Sequence, residues 1–261
     1  MNVRVLVVGG LDPSGGAGLS ADARTLHVHA AMALPVVATL TVQNRFGVRA
    51  VEPVRSDLLR AAFRAAVDDG PVHAIKTGLL ASAEQVELLA QLLADLRPRP
   101  PLVIDPVLSA TAGGHQAGAQ VAAAYRRRLV PLATVLTPNL PEAHAILAGA
   151  GVDALLAEGC QAVLIKGGHG NGPELTDRLV QRGGELRFSH RRLPVGRVHG
   201  TGCALASSFA AGLAHGRTVV AACGDAVGWL QRCLHALPPP ERADAPPRPL
   251  PIVPRGVSAI S

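Results

Sequence analysis

Val198-His199-Gly200-Thr201-Gly202-Cys203 runs directly into a small-residue stretch, Ala204 to Ala214, that reads as a helix. Glycines just ahead of a helix leave backbone N–H groups free to converge on an anion, and the helix dipole favours negative charge there. Cys203 stands where loop becomes helix, so its thiol faces whatever the amides hold. A helix N-terminus or a nearby cation lowers a thiol pKa from about 8.5 by about a unit or more, so thiolate character is expected at Cys203. Taken alone, the motif suits phosphoryl transfer or acyl transfer.

Four further segments carry chemistry. Gly9-Gly10-Leu11-Asp12-Pro13-Ser14-Gly15-Gly16-Ala17-Gly18 follows an apolar run and opens a helix. It fits neither the Rossmann nor the P-loop pattern. A tight turn capped by Ser14 is too little to account for so many glycines, and a backbone that approaches a small ligand is expected. Thr39-Leu40-Thr41-Val42-Gln43-Asn44 ends a second run; Gln43 offers a donor and an acceptor to a heterocycle edge, although a turn-capping Gln-Asn pair explains the residues equally well. Asp105 follows Val103-Ile104, and Asn139 and Glu142 follow the next run in Thr137-Pro138-Asn139-Leu140-Pro141-Glu142. Nucleotide-borne Mg²⁺ takes one or two carboxylates, often through water, and Asp105 and Glu142 could supply them. Helix N-terminal charge compensation for Glu142 and a strand-end cap for Asp105 are the plainer alternatives. Finally, Lys166-Gly167-Gly168-His169 sets an ammonium before a flexible loop, where it can neutralise a nucleotide phosphate.

The lysines stand out against the composition. Of 25 basic side chains only Lys76 and Lys166 are lysines, and both end apolar runs ahead of glycine. Where arginine is used everywhere else, a retained lysine marks a site that needs a compact ammonium. Lys166 is the clearer case; for Lys76 ordinary strand-end exposure competes. The net charge of +6 does not imply nucleic acid, because aromatics are only 2% of the chain and the arginines are mostly scattered. The four cysteines have neither C-x-x-C nor metal-ligand spacing. No signal peptide or membrane span is read from the sequence, so a reducing cytoplasmic compartment is expected.

These residues must be positioned by short apolar runs alternating with Ala/Leu-rich helical segments. Strands are predicted at Val3–Val8, Val36–Thr41, Ala74–Lys76, Leu102–Ile104, Thr134–Leu136 and Val163–Lys166, with a hairpin around Arg182-Gly183-Gly184. Helices are predicted at Ala17–Ala31, Asp57–Val67, Ala83–Leu96, Ala117–Leu129, Glu142–Ala148, Cys203–His215 and Val219–Leu237. The alternation implies an α/β fold with a mostly parallel sheet, and hence ligands at the carboxyl ends of its strands. A hydrophobic content of 48% with few aromatics requires a core of Ala, Val and Leu. One domain over 1–237 is expected, followed by a Pro/Arg-rich tail, 238–261, that is extended or disordered.

G-L-D-P-S-G-G-A-G, T-V-Q-N, K-T-G-L-L, V-I-D-P-V, L-T-P-N-L-P-E-A, V-L-I-K-G-G-H and H-G-T-G-C occur in this order. The ordered set resembles the hydroxymethylpyrimidine kinase/phosphomethylpyrimidine kinase family of thiamine biosynthesis, in the ribokinase-like superfamily, over residues 3–236. The resemblance implies a three-layer α/β/α fold, a homodimer, and two phosphorylations by ATP with Mg²⁺: of 4-amino-5-hydroxymethyl-2-methylpyrimidine, then of its monophosphate. It implies a pyrimidine site lined by Gly10, Ala17, Gln43, Leu79 and Val107. ATP would meet Lys166, Asn139, Gly168 and His199, and the metal Asp105 and Glu142. Gly200, Thr201, Gly202 and Cys203 would form the anion hole, with Cys203 as proton acceptor or orienting group. Small-molecule pyrimidine and ATP are the implied partners, with no nucleic acid or membrane. Arg197-Val198 departs from the usual Asn-Thr, and Ala110-Thr111-Ala112-Gly113 from the usual Ala-Lys-Ser-Gly. These departures bear on the second phosphorylation and on substrate range. A pyridoxal-type kinase on the same fold and a weakly catalytic pyrimidine-binding or regulatory protein are the competing readings.

Overall fold

Apolar runs buried on both faces form the strands at the centre of the molecule. The computed structural model describes residues 3–44, 46–108, 118–169, 172–242 and 245–254. The chain runs β1 (Val3–Leu11), α1 (Gly18–Val28), β2 (Ala31–Asn44), β3 (Gly47–Pro53), α2 (Ser56–Asp68), β4 (Ala74–Thr77) and α3 (Ala83–Ala94). It continues through β5 (Leu102–Ile104), α4 (Ala119–Ala124), β6 (Val135–Leu136), α5 (Leu140–Leu147), α6 (Val152–Ala157) and β7 (Ala162–Ile165). Then come β8 (Glu174–Gln181), β9 (Gly184–Arg191), β10 (Val198–His199), α7 (Thr201–Ala214), α8 (Val219–His235) and β11 (Arg248–Pro249).

The first nine strands form one sheet in the order β3-β2-β1-β4-β5-β6-β7-β8-β9. Strands β2 to β7 of that order are parallel; β3 at one edge and the β8–β9 hairpin at the other are antiparallel. Alternation along β1 sends Leu6 and Val8 to one face and Val5 and Val7 to the other. The first face packs on Leu59, Phe63, Leu89, Leu93 and Tyr125, from α2, α3 and the turn after α4. The second packs on Leu26, Phe209 and Trp229, from α1, α7 and α8. This is the three-layer α/β/α arrangement, with a core mostly of Ala, Val and Leu. The order in which strands are added switches sides at β1, whose parallel neighbours are β2 and β4, so a crevice opens at their carboxyl ends.

Three local differences from the sequence reading have physical causes. Helix α1 stops at Val28 instead of running to Ala31, because Ala30 takes φ 54 and turns the chain into β2. Strand β2 extends to Asn44 because it gains an antiparallel partner, β3, which its largely exposed sequence did not announce. Helix α6 adds an element too short to show a helical period. The tail expected to be extended or disordered is, over 245–254, laid against the body: Arg248 and Pro249 pair with Val198 and His199, and Leu250 is buried.

Candidate active site

One cavity of about 580 Å³ lies at the strand ends, and every site residue named from the sequence lines it. Gly10, Ala17, Gln43, Leu79 and Val107 lie along its wall with Thr41, Val48 and Val51. Lys166, Asn139, Gly168 and His199, then Asp105 and Glu142, then Gly200 to Cys203 complete it. Arg197 and Val198 also line it. The Ala110–Gly113 segment lies outside the described residues.

The glycine-rich turn after β1 is organised by a carboxylate that the sequence reading passed over. Asp12 accepts from the Ser14 amide (2.8 Å), the Ser14 hydroxyl (2.9 Å) and the Ala17 amide (2.9 Å). His199 Nε2 lies 2.9 Å from Asp12 Oδ2 and ties this turn to the second glycine motif. Burial alone would raise the Asp12 pKa; the bonds from His199, Ser14 and Ala17 outweigh it and hold it down at about 2. Ser14 therefore serves Asp12, and no side chain caps α1. Gln43 turns into the cavity, whereas Asn44 Oδ1 accepts from the Phe46 amide in a local turn.

At the next strand ends, two carboxylates and an ammonium converge. Asp105 follows β5, and its amide donates to Thr77 O at 3.0 Å. Glu142 begins α5 in a reciprocal cap: the Asn139 amide donates to Glu142 Oε2 (2.8 Å), and the Glu142 amide to Asn139 Oδ1 (2.9 Å). Glu142 therefore caps the helix, as the plainer alternative holds, and also faces the cavity. The cap also occupies Asn139 Oδ1. Lys166 follows β7 and bonds Asp105 Oδ1 at 2.8 Å, with Glu142 Oε2 at 3.9 Å. Burial would lower the Lys166 pKa, but Asp105 and Glu142 outweigh it and keep the ammonium charged. Burial pushes Glu142 up and Asp105 adds to the rise, while Lys166 opposes it.

Helix α7 brings its N-terminus onto this cluster. Gly200 holds φ 88, and a side chain there would collide with the Gly16 carbonyl, so the two glycine motifs touch only because both lack a Cβ. A Cβ on Gly202 would lie 3.3 Å from Lys166 Nζ and 3.8 Å from Asp105 Oδ2, which puts the start of the helix beside the ammonium.

The expected thiolate at Cys203 is not what this environment produces. Burial pushes the thiol up to about 12; Asp22 and Asp105 add to the rise, and Lys76 opposes it. A helix N-terminus and a nearby cation alone leave out the burial of the thiol, the largest influence, and the presence of Asp22 beside it. Lys76 is fully buried, with both Asp22 oxygens at 2.9 Å, and Ser207 Oγ donates to Asp22 at 2.8 Å. Strand-end exposure therefore does not explain Lys76. No local signal could have found this group, because its partners come from α1, β4 and α7. The same holds for Asp177, His190, Leu230, Gln231 and Leu234, which line the cavity from β8, β9 and α8.

Comparison with known proteins narrows the class. The ADP complex of Bacillus subtilis pyridoxal kinase superposes with a TM-score of 0.81 at 28% identity, covering 94% of this chain and 95% of that one. Phosphomethylpyrimidine kinase from Clostridium difficile gives 0.75 at 29% identity, covering 88% and 98%. With the sheet order and the helix terminus at the strand ends, these define a ribokinase-like kinase fold. Within it, residues 12–247 match the model described as phosphomethylpyrimidine kinase. A hydroxymethylpyrimidine/phosphomethylpyrimidine kinase of Mycobacterium tuberculosis is 39% identical over 257 residues, 95% of this chain and 94% of that protein. The chain belongs to the phosphomethylpyrimidine kinase family. Among the described residues no helix is long and apolar enough to cross a membrane.

Proposed function

We propose that this protein transfers the γ-phosphoryl group of ATP to the primary hydroxyl of 4-amino-5-hydroxymethyl-2-methylpyrimidine, and then phosphorylates the monophosphate, in thiamine biosynthesis. The observation that carries the reading is Lys166: its ammonium sits between two buried carboxylates and beside the start of α7, in a cavity whose wall bears Gln43. An acyl-transfer enzyme has no use for that cation and carboxylate set. A pure pyrimidine binder has no need of a phosphate site.

The chain's residues act chiefly by position and charge, as phosphoryl transfer requires. Gln43 reads the polar edge of the ring, and Gly10, Ala17, Leu79 and Val107 shape the space around it. Lys166 and the amides of Gly200, Thr201, Gly202 and Cys203 receive the phosphates, with Asn139, Gly168 and His199 on the nucleotide. As the hydroxyl oxygen bonds to the γ-phosphorus, the bond to the bridging oxygen breaks and ADP leaves. A loose transition state asks little of a base, so the hydroxyl proton departs late, to an oxygen of the transferred phosphoryl group and from there to water. With its pKa near 12, Cys203 enters as a neutral thiol that orients the hydroxyl. Lys76 is the charge that favours ionising it.

Asp105 and Glu142 fit Mg²⁺ as an all-oxygen pair that leaves room for phosphate and water ligands. Bound there, Mg²⁺ neutralises phosphate charge. The reading extends to a homodimer, supported by the family resemblance, and to the cytoplasm, supported by four free cysteines.

The likeness to Bacillus subtilis pyridoxal kinase favours a second reading in which pyridoxal is the acceptor. ADP release measured with the hydroxymethylpyrimidine, its monophosphate and pyridoxal separates the two. The proposal expects the highest kcat/KM for the pyrimidines; a preference for pyridoxal overturns it.

A further inference from the structure

The C-terminal segment touches two walls of the cavity at once. On one side, Arg248 and Pro249 pair in parallel with Val198 and His199, which lead into the phosphate-facing turn. The Arg248 amide donates to Arg197 O at 3.0 Å, and the Leu250 amide donates to His199 O at 3.2 Å. The Arg248 guanidinium reaches the carbonyls of Val195 and Pro238, each at 2.7 Å. On the other side, Trp229 on α8 donates its indole N–H to Val253 O at 3.0 Å, and Leu250 is buried in the same layer as Trp229. The next residues along α8, Leu230, Gln231 and Leu234, line the cavity, as do Arg197, Val198 and His199.

From these contacts we infer that residues 248–253 are a strap that buckles β10 to α8 and so positions the nucleotide-binding wall. Strand β10 is only Val198–His199, and its hydrogen bonds to β11 hold it along its length. His199 is thereby fixed twice, through its carbonyl by Leu250 and through its ring by Asp12. Gly200 comes next, in a conformation open mainly to glycine, so the direction of the following amides depends on where His199 is held. The strap starts just past the stretch, 12–247, that matches the family model, so the match itself assigns it no role.

The inference rests on reading the cavity as a nucleotide site, and the test keeps the two apart. Leu250→Pro removes one amide donor and keeps an apolar residue in an already extended, proline-flanked segment; Leu250→Ala keeps the donor and loses the side chain. Binding of ADP and of a non-hydrolysable ATP analogue is measured by calorimetry on the full chain, without pyrimidine. One hydrogen bond is worth about a five- to tenfold change in affinity. Leu250→Pro is expected to weaken nucleotide binding about tenfold, whereas Leu250→Ala lowers Tm and leaves affinity within about twofold of wild type. Arg248→Ala, which keeps both backbone bonds, should weaken binding by a smaller factor. Emission from Trp229, the only tryptophan in the chain, reports whether the strap remains docked in each variant. If Leu250→Pro binds nucleotide as tightly as wild type, or if affinity merely follows Tm across the set, the strap is only structural and the inference is overturned. If wild type itself binds no adenine nucleotide, the site reading falls, and the strap's role with it.

Discussion

Replacing Lys166 with methionine removes the ammonium that stands 2.8 Å from Asp105 Oδ1 and 3.9 Å from Glu142 Oε2, between two nearly fully buried carboxylates. Deleting one partner of a buried ion pair costs about 3–5 kcal/mol, because the charge left behind is uncompensated. Two carboxylates sharing one site avoid part of that cost when one of them binds a proton. Glu142 is the group to do so: burial and Asp105 already push it up, and Lys166 is the strongest opposing influence. The pH dependence then has a definite sign. In the folded variant the Glu142 pKa lies above its unfolded value, so the folded state binds more protons. The stability this gives is fully present below the unfolded value near 4.5 and is lost as pH rises through the raised folded value. Thermal melts of Lys166→Met should therefore stay close to wild type at acidic pH and fall behind by about 10 °C at mildly alkaline pH, taking about 2–4 °C per kcal/mol for a domain of this size. Turnover should drop about 10²- to 10³-fold, the usual loss when a preorganised charge is removed from a transition state. An equal Tm deficit at both pH values, or kcat within about threefold of wild type, would refute the placement of Lys166 between the carboxylates and the phosphate.

Cys203→Ala should lower kcat about a hundredfold with little change in nucleotide affinity, as expected for a group that positions a hydroxyl. In the resting protein the rate of Cys203 alkylation should still be rising at pH 10, given a pKa pushed up to about 12; a plateau below pH 8 would restore the thiolate. Asp12→Asn should flatten the acid limb of the stability curve. The depressed Asp12 pKa contributes about 2 kcal/mol above its unfolded value of 3.8, lost as pH falls toward 2, and urea melts at pH 7 and pH 3 measure the difference. Gln43→Ala should raise KM for the pyrimidine about tenfold and leave KM for ATP unchanged; parallel changes in both would move Gln43 out of the substrate wall.

The motifs at strand ends were legible because a parallel sheet gathers them on one edge whatever the details of packing. Gly10, Asp105, Asn139 and Lys166 are far apart in sequence, yet the β1-β4-β5-β6-β7 order puts them around one cavity. The surroundings that raise the Cys203 pKa, burial first, were legible only in part: Lys76 and Asp105 stood out by residue type, but Asp22 did not. Asp22 sits on the buried face of a helix and Lys76 within a strand, and only the packing of α1 and α7 on the sheet brings them together. The partnership of Asp12 with His199 likewise joins residues 187 apart and leaves no local pattern. Strand β3 escaped because an edge strand with exposed residues shows little apolar alternation. Proline and arginine in the tail pointed to an extended segment but not to its docking: over the described residues Leu250 and Val253 find a tryptophan and a strand edge.

The central claim, that this cavity moves a phosphoryl group from ATP to the hydroxymethyl group of a pyrimidine, is tested most directly by phosphorus NMR. Wild-type protein would be followed with ATP, Mg²⁺ and 4-amino-5-hydroxymethyl-2-methylpyrimidine. The account predicts that the γ-phosphate signal decays as a phosphomonoester resonance grows, which then gives way to the paired signals of a diphosphate ester. ATP left intact, or converted only to ADP and inorganic phosphate, would contradict it.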